Sequence, residues 1–176
     1  MQNKFQNKYR IPSARLQTWD YANNGAYFIT ICTQNREHFF GNIKNGIMQL
    51  SEIGKIVENE WIKTPEIRPD MNLKQGEFVV MPNHFHAILI IGQNEYNIQP
   101  DHGEYNNQFG PQSKNVSSII RGFKSAVTMA SRMIYPDFGW QSKFHDHIIR
   151  NHEEYLRIEN YIINNPKNWK EDKFNE

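Results

Sequence analysis

The sequence predicts an α+β domain, a largely antiparallel sheet with helices packed on it. Three observations carry that expectation. Tyr27–Thr33 and His84–Ile91 are rich in β-branched and aromatic residues and read as buried strands. Glu77–Met81 reads as a further strand, separated from His84 by only Pro82-Asn83, which suits an antiparallel hairpin. Three other segments repeat their apolar residues at helical spacing.

Taken in chain order, Tyr27–Thr33 is the first strand, and Asn45-Gly46 between Ile-Lys and Ile-Met-Gln-Leu signals a tight hairpin turn. Ser51 can cap a helix whose Ile53, Ile56, Val57 and Trp61 share a face, with Pro65 expected beyond its end. The two strands on either side of Pro82-Asn83 follow, then a long polar loop over 92–113. Val116 to Ile134 reads as a second helix, with Ile119, Ile120, Phe123, Val127, Ala130 and Ile134 on its apolar face. A short extended segment around Trp140–Arg150 leads to a third helix, opened by the capping pair Asn151/Glu154 and closed at Asn165-Pro166. The 176 residues fit one domain over 1–176, with an arm at 1–20 and a tail at 167–176.

Composition excludes several classes. Hydrophobic residues make up 38% and aromatics 13%, enough for a packed core, so the chain is not expected to be disordered. The longest apolar run is Ala87–Ile91, far short of the roughly 20 residues that a membrane span needs. The N-terminal residues carry no apolar stretch of the kind a secretory signal requires. Cys32 has no second cysteine to pair with. These features predict a cytoplasmic protein without membrane contact. Net charge is +1, but its distribution is uneven: residues 1–36 and 105–145 each carry +4, whereas 37–104 carry −5. Two basic regions around an acidic one fit a localised nucleic-acid footprint as well as ordinary solvated surface.

The chemistry-bearing stretch is Met81-Pro82-Asn83-His84-Phe85-His86-Ala87. On a strand, residues i and i+2 share a face, so His84 and His86 point one way and Phe85, Ala87, Leu89 and Ile91 the other. Two neighbouring imidazoles can take one divalent cation if a third polar group approaches. A bare His-x-His is more often a pair of ordinary histidines, but this pair opens a strongly apolar strand just after a turn.

The stretch from Met81 to Ile91 resembles the His-hydrophobic-His motif of the HUH-type single-tyrosine transposases, in particular the REP-associated tyrosine transposases. Residues 9–21 with 27–41 are similar to that family's arm and first strand, Ser117–Thr128 to its central helix, and Trp140–Asn151 with Tyr161–Trp169 to its C-terminal signature. The resemblance implies a ferredoxin-like domain with a central antiparallel sheet. It also implies a Mg²⁺ or Mn²⁺ on the two histidines, and a tyrosine that attacks a DNA phosphate to leave a 5′-phosphotyrosine and a free 3′-OH. Imidazole favours Mn, Zn or Ni over Mg, so ligand chemistry leaves the ion open. For the third ligand the resemblance points to His147, with His145 as its competitor on the same strand face.

One departure matters. The family pattern Trp-Gln-x-x-Tyr is here Trp140-Gln141-Ser142-Lys143-Phe144, and Phe144 has no hydroxyl. In the third helix, Tyr155 lies amid Leu156, Ile158 and Ile162 and is expected to pack, whereas Tyr161 lies at the edge of the apolar face and is the expected nucleophile. For DNA contact, Arg121 and Lys124 are spaced to share one helix side, with Arg15 in the arm. The expected partner is single-stranded or hairpin DNA, bound by a monomer or homodimer. A DNA-binding protein of the same fold without cleavage is the rival, prompted by Phe144. A small-molecule phosphohydrolase is weaker, because a third alternating histidine would fall at Ile88.

Overall fold

Strand β5 (His84–Ile91) is buried along almost its whole length, because both of its faces are covered and both of its edges are paired. The computed structural model describes residues 19–98 and 113–175. Beside β5 lie β1 (Gly25–Cys32) and β4 (Leu73–Met81), and β6 (His145–Ile149) flanks β1 on its far side. The order β4-β5-β1-β6 is antiparallel throughout. With α1 (Glu52–Ile67) between β1 and β4, and α2 (Val116–Ser131) between β5 and β6, the chain traces the β-α-β-β-α-β path of the ferredoxin-like fold. A third helix, α3 (His152–Asn164), packs on the opposite face of the sheet from α1 and α2. Among the described residues, no helix is long and apolar enough to cross a membrane.

The large core lies under α1 and α2. Tyr27, Ile29, Ile31, Phe85, Ala87, Leu89 and Ile91 meet Ile53, Val57 and Trp61 of α1 and Ile119, Ile120 and Phe123 of α2. Trp61, Phe85 and Phe123 form a ring triad with centroids 5.1–5.4 Å apart. Each such pair adds about 0.5–1.5 kcal/mol beyond its buried area. The smaller core on the other face joins Ile88 to Ile158 and Ile162 of α3.

The hairpin of β2 (Gly41–Lys44) and β3 (Ile47–Leu50) turns at Asn45-Gly46, both with positive φ, as a two-residue hairpin turn demands. Ser51 caps α1 as expected, its Oγ accepting from the Gly54 N–H at 3.0 Å. The helix does not stop at Pro65 but runs through it to Ile67. Proline there forgoes the hydrogen bond to the Trp61 carbonyl, and the Gln75 side-chain amide donates to that carbonyl instead. Strand β4 starts four residues before the expected Glu77, because Leu73–Gln75 still pair with β5 across an irregularity at Gln75–Phe78. Helix α2 ends at Ser131 rather than Ile134, which is exposed. Asn115 and Ser118 cap its start reciprocally. In α3, Asn151 accepts from the Glu154 N–H, and the Glu154 carboxylate reaches past it to the N–H of Arg150.

Candidate metal centre

Cross-strand partners share a sheet face, so register determines what surrounds the histidine pair. His84 lies opposite Cys32 and His86 opposite Thr30 on β1. Across β1, Thr30 is opposite His145 and Phe28 opposite His147. These residues therefore stand on the α3 side of the sheet. Phe144 and Ile148 pack into the large core on the other side.

Both imidazoles are buried, with ring centroids 4.6 Å apart. His84 Nδ1 lies 2.9 Å from Asn83 Oδ1, an oxygen that can only accept, so Nδ1 carries the hydrogen and Nε2 keeps its lone pair. His86 Nδ1 bonds Thr30 Oγ1 at 2.8 Å, and its Nε2 faces the Tyr161 hydroxyl at 3.3 Å. Fixing one ring nitrogen by a neighbour so that the other keeps a directed lone pair is how proteins orient histidine ligands. Burial pushes the His84 imidazole down to about 4, and pushes His86 well below its ordinary value, with the neighbouring His84 adding to the effect. Both rings are thus neutral near pH 7, the state that binds metal.

The third group comes from beyond α3. After Pro166 the chain makes a short turn at Trp169–Glu171 and runs back over the histidines. Phe174 packs on His84 with ring centroids 4.6 Å apart, Asn83 Nδ2 donates to the Phe174 carbonyl at 2.7 Å, and Arg36 donates to the Lys173 carbonyl at 2.9 Å. These contacts hold Asp172 beside the pair, so that one ligand atom each from His84, His86 and Asp172 lie within 4.8 Å of one another. Among the described residues the buried His84 Nε2 has no hydrogen-bond partner, a costly state for a polar atom. Two neutral nitrogens and one carboxylate oxygen suit a divalent first-row ion. The residues fit a metal.

His86, Asp172 and Tyr161 open onto a cleft of about 830 Å³, also lined by Phe28, Thr30, His147, Arg157, Asn165 and Lys173. Tyr161 is 40% exposed, and burial of its ring raises its pKa, with the Asp172 charge acting in the same direction.

A protein of Haemophilus influenzae, itself without a described function, is 39% identical over 170 residues, which cover 91% of this chain and 90% of that protein. The chain belongs to that protein's family. No family model matches the sequence. A solved structure described as a REP-associated tyrosine transposase bound to a REP hairpin shares the fold, with a TM-score of 0.61 over 90% of this chain and 74% of that one at 21% identity.

The residues expected from sequence are distributed as follows. His84, His86 and Tyr161 meet in the cleft. His147 lines it too, but its Nε2 is 2.7 Å from Glu154 Oε1, and Asp172 stands where a third ligand was sought. His145 shares that strand face and is exposed. Tyr155 is half-buried against the α3 core, while its expected neighbour Leu156 is exposed. Arg121 lies on α2, on the far side of the sheet, in a groove with Arg68 and Lys114. Lys124, also on α2, donates to the carbonyl of Gln141 at 2.7 Å, and burial lowers its pKa. Its ammonium ties the segment after Trp140 to the helix. Arg15 lies outside the described residues. Asp172 and Lys173 were missed, since the tail carries no periodic pattern that would dock it on the sheet, and Asn165 was read only as the end of the third helix.

Proposed function

We propose that this chain is a metal-dependent enzyme that cuts and rejoins single DNA strands through a phosphotyrosine, as the resemblance to HUH-type transposases implies. The observation that carries it is the meeting of Tyr161 with a His84–His86–Asp172 grouping in one open cleft. His84 Nε2, His86 Nε2 and an Asp172 oxygen would hold the cation, Mg²⁺ or Mn²⁺. Bound there, such an ion supplies Lewis-acid polarisation of a scissile phosphate and lowers the cost of ionising a nearby phenol. The Tyr161 oxygen attacks phosphorus, the bond from phosphorus to the 3′-oxygen breaks, and the proton lost by the phenol is balanced by the one the 3′-oxygen gains. The new phosphodiester conserves the energy of the old one, so rejoining needs no ATP. Lys173 and Arg157 on the cleft wall suit the flanking phosphates, which position a strand without reading it. One solved structure that shares the fold is described as bound to a REP hairpin, which makes a DNA hairpin with single-stranded flanks the first substrate to try.

The test is a labelled hairpin with Mn²⁺, analysed on a denaturing gel. A protein–DNA adduct that appears with Mn²⁺ and not with EDTA supports cleavage. Binding that weakens as salt rises, with no adduct on any hairpin or single strand, favours the binding-only reading that Phe144 prompts.

A further inference from the structure

On the α3 side of the sheet the helical cover ends at one residue. Ile88 of β5, Phe28 of β1 and His147 of β6 stand side by side in register. Ile88 is fully buried against Ile158 and Ile162 of α3, Phe28 is half-buried, and His147 is exposed. On this face of β1 the neighbours of Phe28 along the strand, Ala26 and Thr30, are small. The phenyl ring therefore stands at the edge of the α3 core and lines the cleft.

Its surroundings are built from rings. Phe28 stacks on His86, with centroids 5.2 Å apart and planes at 28°, and meets Tyr161 edge-on at 6.0 Å. Tyr161, His84 and Phe174 close round His86 at steeper angles. His86 is left 1% exposed, so Phe28 and Tyr161 present the aromatic surface of this group to the cleft. Cations stand on the same walls: Lys173, and Arg157, which is 73% exposed and only 3.5 Å-paired with Glu154. An aromatic floor between cationic walls is the composition that takes a single strand. The ring receives a base on its π-face, worth about tenfold in binding or more, while the cations take the phosphates.

We propose that Phe28 is the floor of a nucleobase subsite: an unpaired base lies on its ring, and the phosphodiester of that nucleotide falls beside Tyr161 and the histidine pair. The proposal rests on the DNA reading given above and adds the group that selects an unpaired nucleotide at the point of cleavage. A base inside a duplex has both faces stacked on its neighbours, so a single strand or a hairpin flank offers one to Phe28 far more cheaply. The subsite prefers no particular base, because every base has a π-face. The phosphate contacts of Arg157 and Lys173 are shared by paired and unpaired strands alike. Phe28 makes the difference between them.

The test uses the full chain in EDTA, so that neither metal nor cleavage enters the readout. Fluorescence anisotropy at one fixed salt concentration compares a DNA hairpin flanked by single-stranded deoxyadenosines with the same hairpin carrying abasic flanks of equal charge. The wild type should bind the first about tenfold more tightly. Phe28→Leu keeps apolar packing against the α3 core and removes the flat ring. It should bind the two probes within about twofold of each other, with the loss falling on the deoxyadenosine flanks, and Phe28→Tyr should restore the preference. A preference for bases that survives in Phe28→Leu overturns the proposal and leaves the ring as packing for His86. If Phe28→Leu does not fold, photocrosslinking of the wild type to flanks carrying 5-iodouracil decides: the crosslink should map to Phe28, and its absence there overturns the subsite. Equal wild-type affinity for the two probes overturns the subsite alone. Binding of neither removes the DNA reading, and the subsite with it.

Discussion

The Tyr161 hydroxyl lies 3.3 Å from Nε2 of His86 across 75 residues of sequence. Phe144, at the position where the family pattern has its tyrosine, packs into the core on the opposite side of the sheet. Tyr161→Phe should therefore abolish the covalent adduct with DNA and leave DNA binding nearly unchanged. Because the hydroxyl is partly exposed, stability should change by no more than about 0.5 kcal/mol. Phe144→Tyr should not restore an adduct to Tyr161→Phe, since a hydroxyl there would face the α1 and α2 side. Denaturing gels of the two variants and their combination decide the matter, and an adduct persisting in Tyr161→Phe would exclude Tyr161.

The two histidines should contribute separately to metal binding. His84→Ala and His86→Ala should each weaken Mn²⁺ binding at least tenfold in calorimetry, about 1.4 kcal/mol. Asp172→Asn should weaken it as well, whereas His147→Ala should leave it close to wild type, because the His147 Nε2 is engaged by Glu154. A large loss in His147→Ala with none in Asp172→Asn would return the third-ligand role to His147.

The fold was legible because its signals are local. The β-branched and aromatic runs at Tyr27–Thr33 and His84–Ile91, the Asn45-Gly46 turn and the Ser51 and Asn151 caps each act within a few residues. The histidine pair was legible for the same reason, as strand geometry alone puts both rings on one face. Asp172 was not, because its place depends on Asn83 holding the Phe174 carbonyl from 91 positions away. Lys124 illustrates the converse. Its spacing from Arg121 on α2 suggested a phosphate contact, but the side chain spans to the Gln141 carbonyl of a segment whose path periodicity cannot give.

Acid should destabilise the metal-free protein before ordinary carboxylates titrate. His84 is held at about 4 by burial, whereas an unfolded histidine protonates near 6.5. Between those values the unfolded chain binds more protons than the folded one. The stabilisation is thus complete above about pH 6.5 and is lost as pH falls toward 4. Asp172 opposes the shift, while Arg36 and Lys173 reinforce it. His86, lowered by burial and by His84, acts in the same direction. Urea unfolding in EDTA at pH 7.5, 6.0 and 5.0 should show a steady fall in stability, reduced in His84→Gln. A flat profile across this window would contradict two buried neutral imidazoles.

The seat of α3 on the sheet depends on the missing side chain of Gly76. This residue sits in the irregular part of β4, where the register shifts between Gln75 and Phe78. A Cβ there would fall 2.6 Å from the Tyr155 hydroxyl and 3.0 Å from the Ile88 Cβ. The Tyr155 end can swing aside, but Ile88 is fixed near its own backbone in the middle of the sheet, so the added methyl cannot be absorbed freely. Gly76→Ala should therefore cost about 1–3 kcal/mol in urea unfolding, the range for an overfilled core. Adding Tyr155→Phe removes the nearer obstacle and should recover part of that loss, leaving the Ile88 contact as the remainder. Because Tyr155 and Tyr161 ride on the same helix, lifting α3 would also move the phenol from His86. The single variant should then form less adduct than its loss of stability alone explains, and the double variant more than the single. Wild-type stability in Gly76→Ala would show that α3 is seated more loosely than these contacts require.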